Sequence, residues 1–193
     1  REVYADEALQ TLCNTGVVRD GAVTPEVLTA LLEARRIRAP LRVKDVVFLK
    51  RFGIFKSGVE MKGDQLSVEG AHCSNDLRDA ASFDVVCRSM LGSHLQGGVY
   101  MTGGFFLGPR DFYEHLRSMA PHDLSRIDMT RIDFINQLYG DDSLKRAQRV
   151  KARFINTTMK VTLLGAAASD ALESGQVVSG VGGQYNFVAM AHA

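Results

Sequence analysis

The stretch RFINTTMKVTLLGAAASDALESGQVVSGVGGQYNF, residues Arg153–Phe187, decides how the rest of the chain is read. Two apolar, β-branched runs, Arg153–Asn156 and Val161–Leu164, have the composition of buried strands. The small-residue segment Gly165–Ser169 follows, and then a third expected strand, Gln176–Ser179, running into the turn Gly180-Val181-Gly182-Gly183. Glycine at that density after a strand lets the backbone approach a ligand and point its N–H groups outward. It serves equally as a tight turn between core strands, since glycine is the usual turn residue. Both readings fit the spacing.

Working outward, the segment from Gly97 to Val150 alternates strand, glycine loop and helix. Gly97–Gly104 reads as a strand opening into a glycine loop, and Pro109 starts a helix through Met119 with Phe112, Tyr113 and Leu116 inward. A short strand is expected at Ile127–Met129, a short helix at Phe134–Tyr139 and a basic helix at Ser143–Val150. That alternation argues for an α/β core.

Upstream, Tyr4–Asn14 carries apolar residues at helical spacing, with Gly16 placed to end the helix. A second helix starts at Thr24-Pro25 and runs to about Ile37, closed by Pro40, and a third spans Val43–Phe52 before Gly53. Gly58–Val68 alternates around Lys62-Gly63-Asp64-Gln65, the pattern of a hairpin, and Asn75–Leu91 reads as a helix.

Composition sets the bounds. A chain of 193 residues, 46% hydrophobic and 23% charged, can bury a proper core. Its net charge of +1 gives no overall field for nucleic acid or an anionic membrane. The basic run Arg35–Lys44 reads as a solvated surface. No apolar run is long enough to span a bilayer. Cys13, Cys73 and Cys87 are widely spaced with no CxxC, which argues against a disulfide framework or zinc site and fits a reducing cytoplasm. The five histidines show no paired-ligand spacing, so no metal site is expected. Ser179-Gly180 is not a GxSxG nucleophile elbow. With Arg1 at one end and Ala193 at the other, the chain reads as an excised piece of a longer protein.

Two ordered segments, Ile155–Gly165 and Ser179–Phe187, resemble the C-terminal domain of the acetyl-CoA hydrolase/CoA-transferase family. GGVYMTGGFFLGPRDFYEHL (Gly97–Leu116) and Asp133–Asn136 are similar to further segments of it, so the likeness covers roughly Gly97–Phe187. Residues from about 20 to 96 have no obvious counterpart and read as an insertion in a single C-terminal domain.

The resemblance implies an open α/β sheet of the family-I CoA-transferase kind and a glutamate nucleophile acting on a short-chain acyl-CoA. Coenzyme A would be a substrate, with no permanently bound cofactor. The attack gives an acyl-glutamyl anhydride and then a glutamyl-CoA thioester, resolved by an acceptor carboxylate or by water. Gly182 and Gly183 would form the oxyanion or CoA-contacting turn, with Gln184 at the substrate. Asn156, expected at the end of a strand, would hold either a structural hydrogen bond or the pantetheine chain. The implied partners are the polypeptide's own N-terminal domain and, as in relatives, a second copy. The excised piece alone is expected to be inactive.

The family's nucleophile precedes an aspartate by four residues, ahead of a helix that ends in glycine. Glu2 and Asp6 fit that spacing, and the helix ending at Gly16 follows, although the count is one residue longer and Glu7 replaces a glycine. Glu60-Met61-Lys62-Gly63-Asp64 also resembles the motif but lies in the hairpin, so Glu2 is preferred. Lys160, Thr162 and Asn186 stand where the family carries acidic residues. Those exchanges fit a divergent substrate, and equally a degenerate domain that binds CoA or acyl-CoA without turnover.

Overall fold

The structure is a computed structural model and describes residues 2–137 and 139–192. Helix α1 (Glu7–Thr15) starts where Asp6 accepts a hydrogen bond from the Leu9 amide and stops at Gly16, whose φ of 81° only glycine adopts without strain. Helix α2 (Pro25–Glu33) begins with Pro25 and ends four residues before Ile37, because Arg35 turns left-handed with φ 56°. Helix α3 (Val43–Arg51) is closed by Phe52 and Gly53.

Strands β1 (Glu60–Lys62) and β2 (Gln65–Val68) make the expected hairpin about Gly63-Asp64. A strand without a counterpart in the sequence reading, β3 (Ala71–Ser74), pairs antiparallel with β2. Helix α4 (Ala80–Val85) is shorter than expected and continues as a π-helical turn over Val86–Met90. The seven elements enclose one hydrophobic core running from Tyr4 to Leu95. Leu9, Leu28, Leu31, Leu49, Ile54 and Leu66 are fully buried within it.

Beyond the core, β4 (Met101–Gly103) pairs parallel with β5 (Ile127–Met129). A parallel pair needs a crossover, and α5 (Arg110–Ser118) and α6 (Pro121–Leu124) supply it. This is the expected α/β alternation, with α5 half-buried at Phe112, Tyr113 and Leu116. Helix α7 (Ile132–Asn136) stands near the helix expected over Phe134–Tyr139, a span in which Leu138 lies outside the described residues. Helix α8 (Asp142–Gln148) matches the expected basic helix.

The C-terminal stretch differs from its sequence reading. Arg153–Asn156 forms no strand, and of Val161–Leu164 only Val161 does, in the two-residue pair β6 (Lys160–Val161) and β7 (Ala167–Ala168). Gln176–Ser179 contributes one isolated bridge, Val177 to Ala171. Ile155, Leu163 and Leu164 stand almost wholly exposed. Apolar, β-branched composition measures what a segment can bury, and within the described residues no second layer covers these runs. After the glycine turn the chain forms α9 (Gln184–Ala191), also without a counterpart in the sequence reading. Among the described residues the strands therefore make three small sheets, one of three strands and two of two, where one open sheet was expected.

Asp45, 1% exposed, holds the entry to α3. It accepts from the Arg42 amide at 2.9 Å and from the Arg42 guanidinium at 2.8 and 2.9 Å. Burial alone would raise its pKa, but the Arg42 hydrogen bonds and charge outweigh that and hold it below the ordinary carboxylate value. Its contribution is therefore complete above the unfolded carboxyl pKa and is lost as pH falls through the lower folded value. Asp45→Ala is expected to cost about 1–3 kcal/mol near neutral pH. The penalty should shrink toward strongly acidic pH, as urea denaturation at a series of pH values would read. Leu49→Ala, in the centre of the core, should cost about 2–5 kcal/mol at every pH.

Candidate functional site

Val3 and Val99 exchange two main-chain hydrogen bonds, at 2.9 and 3.0 Å, and this bridge sets Glu2 and Tyr4 beside the Gly97-Gly98 pair. A Cβ on Gly98 would stand 2.5 Å from Glu2 Oε2 and 3.0 Å from Tyr4 Cζ. Glycine is what lets the carboxylate lie against that backbone. The Tyr4 hydroxyl donates to Glu2 Oε2 at 3.1 Å, and the Arg126 guanidinium, from the residue before β5, forms an ion pair with Glu2 Oε1. Arg126 also donates to the Tyr100 hydroxyl and lies 4.9 Å from the centre of that ring.

Glu2, Tyr4 and Arg126 line a cleft of about 830 Å³, completed by the end of α1, the loop around Arg19 and Asp20, and His94. Tyr4 is buried, and burial first, then the hydrogen bond and charge of Glu2, pushes its phenol pKa above the ordinary value. The phenol thus stays a donor to the carboxylate at neutral pH. Its hydrogen bond to Tyr100, against a smaller desolvation effect, holds the Arg126 guanidinium above its ordinary value. Sequence reading singled out Glu2 but missed Tyr4, Gly98 and Arg126 as its companions. Gly98 entered that reading only as the start of the strand that opens into the Gly103-Gly104 loop.

The other expected site residues lie elsewhere. Gly182, with φ 57°, and Gln184 line a second cavity of about 450 Å³ together with Ser169 and Asp170. Gly183 stands at the N-terminus of α9, where a Cβ would meet Phe187 at 3.1 Å and the Asn136 amide oxygen at 3.2 Å. Gln184 accepts from the Ser169 hydroxyl and donates to the Ala167 carbonyl at 3.1 Å. Asn186, in place of the family's acidic residue, donates to the Asn136 carbonyl. Asn156 is exposed and ends no strand, so the buried amide expected there is absent. Glu60 is exposed on β1 with Lys62 at 3.7 Å, a solvated pair. Gly182 and Gln184 thus line one cavity and Glu2 another, and neither Asn156 nor Glu60 lines either of them. The carboxylate that shares the glycine-turn cavity is Asp170.

The whole glycine turn and α9 fall within one recognised unit. Residues 108–193 match the family model of the acetyl-CoA hydrolase/transferase C-terminal domain. The acetyl-CoA hydrolase/transferase match contains Arg126 and the second cavity, whereas Glu2, Tyr4 and Gly98 precede it. Comparison with curated proteins and with solved structures gave no match. Among the described residues, no three His, Cys, Asp or Glu side chains cluster as metal ligands would, and no helix is long and apolar enough to cross a membrane.

Two outcomes are expected at the Glu2 cleft. In a spectrophotometric titration of the five tyrosines, one phenol should ionise after the rest, and Tyr4→Phe should remove that late component. Because the folded phenol holds its proton longer, stability should fall as pH rises from the ordinary tyrosine value, about 10, through the folded one. Gly98→Ala should push the Glu2 carboxylate off the Gly98 backbone and raise its modification by a water-soluble carbodiimide.

Proposed function

We propose that this chain acts on short-chain acyl-CoA thioesters as part of an acetyl-CoA hydrolase/transferase, with Glu2 as the covalent nucleophile. The observation that carries the reading is the family match over residues 108–193, taken with a glutamate held in a cleft whose Arg126 belongs to the matched segment. One Glu2 oxygen attacks the thioester carbonyl, and the thiolate of CoA leaves as the acyl-glutamyl anhydride forms. The thiolate then attacks the glutamyl carbonyl, releasing the carboxylate product and leaving a glutamyl-CoA thioester for an acceptor carboxylate or water. Arg126 and Tyr4 hold the attacking carboxylate in orientation.

The tetrahedral oxyanion needs donors. The N-terminus of α9 at Gly183 presents unpaired backbone N–H groups with a favourable dipole, a contribution of a few kcal/mol where such groups face the oxyanion. In this reading the Gly182–Gln184 turn and the Glu2 cleft work across an interface completed by a preceding half of the polypeptide. That half would also extend the small sheets into an open CoA-transferase-like sheet. The uncovered Ile155, Leu163 and Leu164 support it, because strand-forming apolar side chains left this exposed are suited to burial against a further layer.

A second reading is binding of CoA or acyl-CoA without turnover. It is favoured by the separation of Glu2 from the glycine turn and by the exchange of acidic family positions for Lys160, Thr162 and Asn186. Trapping distinguishes the two. The complete gene product is mixed with acetyl-CoA, treated with borohydride or hydroxylamine, and mapped by peptide mass. Reduction to the alcohol, or a hydroxamate, is expected at Glu2 and should vanish in Glu2→Gln. The same adduct at Glu60 or Asp170 would keep the chemistry and move the nucleophile. No adduct, with CoA still bound, establishes the binding reading.

A further inference from the structure

We infer that the cavity between α8 and α9 is a binding site for the diphosphate of a nucleotide, distinct from both the Glu2 cleft and the glycine-turn cavity. Its volume is about 410 Å³. Four cationic side chains line it, Lys145, Arg146, Arg149 and Lys151, against one carboxylate, Asp142. Among the described residues none of the four is paired with a carboxylate.

Two of the cations are poorly placed for solvent. Lys145 is 7% exposed, and its Nζ donates at 3.0 Å to the Gln137 carbonyl. The same ammonium lies 5.9 Å from the centre of the Phe134 ring, and neither of these partners carries a negative charge. Arg149 is half-buried with its guanidinium 5.8 Å from the centre of the Phe154 ring, and desolvation holds its pKa below the ordinary value. Buried charge of one sign, without a counter-charge, costs folding free energy that a bound anion offsets.

Helix dipoles do not account for it. Lys145 and Arg146 lie in the last turn of α8, and Ala191 brings the end of α9 to the same cavity. Each C-terminus carries roughly half a negative charge, so two give about −1. Four cations less one carboxylate give +3. The surplus matches a diphosphate in sign and size. The rim adds two aromatic rings, Phe154 and the exposed Tyr139, as stacking surface for a base. The cavity is of single-ligand size and the chain's net charge is only +1, which favours a mononucleotide over a nucleic acid strand. A free nucleoside diphosphate and the nucleotide end of a CoA thioester present the same chemistry.

The test is isothermal titration of the 193-residue chain with ADP, CoA, pantetheine and a short single-stranded oligonucleotide. ADP should bind and pantetheine, which lacks the nucleotide, should not. Arg146→Glu and Lys151→Glu change exposed positions and preserve the fold. Each should weaken ADP binding about tenfold, and Arg149→Ala at least as much, whereas Arg110→Glu on α5 should leave it unchanged. CoA weakened in parallel identifies the thioester's nucleotide as the ligand, and CoA unmoved identifies a free nucleotide. No ADP binding, ADP binding indifferent to all three variants, or an oligonucleotide bound more tightly than ADP would overturn the assignment. The readout is binding, so failure to trap an adduct at Glu2 leaves it intact.

Discussion

Tyr4 is tied at three points, and the arrangement of the molecule depends on them. Its amide donates to buried Gln10 on α1 at 2.9 Å, its carbonyl accepts from Gln148 at the end of α8 at 2.8 Å, and its hydroxyl holds Glu2. One residue therefore joins the N-terminal core, the C-terminal segment and the candidate nucleophile. Two further bonds run the same way, Asn14 to the Ala147 carbonyl at 2.7 Å and Ser143 to Glu7 at 2.7 Å. Without them α8 would touch α1 only through side-chain packing.

Burial is unevenly distributed around that tie. The continuous core lies between Tyr4 and Leu95, the span that includes the segment read from sequence as an insertion. In the matched C-terminal segment, Met190 and Lys145 are buried, while large apolar side chains such as Ile155, Leu163 and Leu164 face outward. Burying apolar surface contributes roughly 25 cal/mol per Å². The N-terminal core thus supplies most of the folding free energy, and the C-terminal segment is held largely by hydrogen bonds and by its attachment through α8.

The chemistry divides along the same line. Glu2 has a phenol on one oxygen and a guanidinium on the other, an environment that orients a carboxylate. The glycine turn has small residues, an exposed helix N-terminus and little charge except Asp170. A thioester attack needs both kinds of environment within a few ångström of one carbonyl carbon. The glycine-turn half-site is built from the last part of the chain alone, whereas the Glu2 cleft joins residues from both ends of the Val3–Val99 bridge and Arg126. Their approach to each other requires surface beyond that which these two cavities share.

What the sequence alone determined was local. Gly16, Pro25 and Gly53 mark helix ends through their own backbone chemistry, and Gly63 marks the hairpin, so those boundaries stood where expected. The α/β alternation after Gly97 and the family likeness were legible for the same reason, since both are ordered patterns along the chain. Tertiary structure decided the rest. Val161–Leu164 has strand composition yet lies exposed, because a strand needs a partner and a covering layer from elsewhere in the fold. Asn156 carries no mark in its neighbours of being left at the surface. Arg126 reaches Glu2 across more than a hundred residues because the parallel β4–β5 pair returns the chain to the Val3–Val99 bridge. The basic helix was visible in sequence, but its cations became a cavity only when α9 packed beside them and water was kept from Lys145 and Arg149. Long-range proximity and desolvation are properties of packing, and no short-range pattern encodes them.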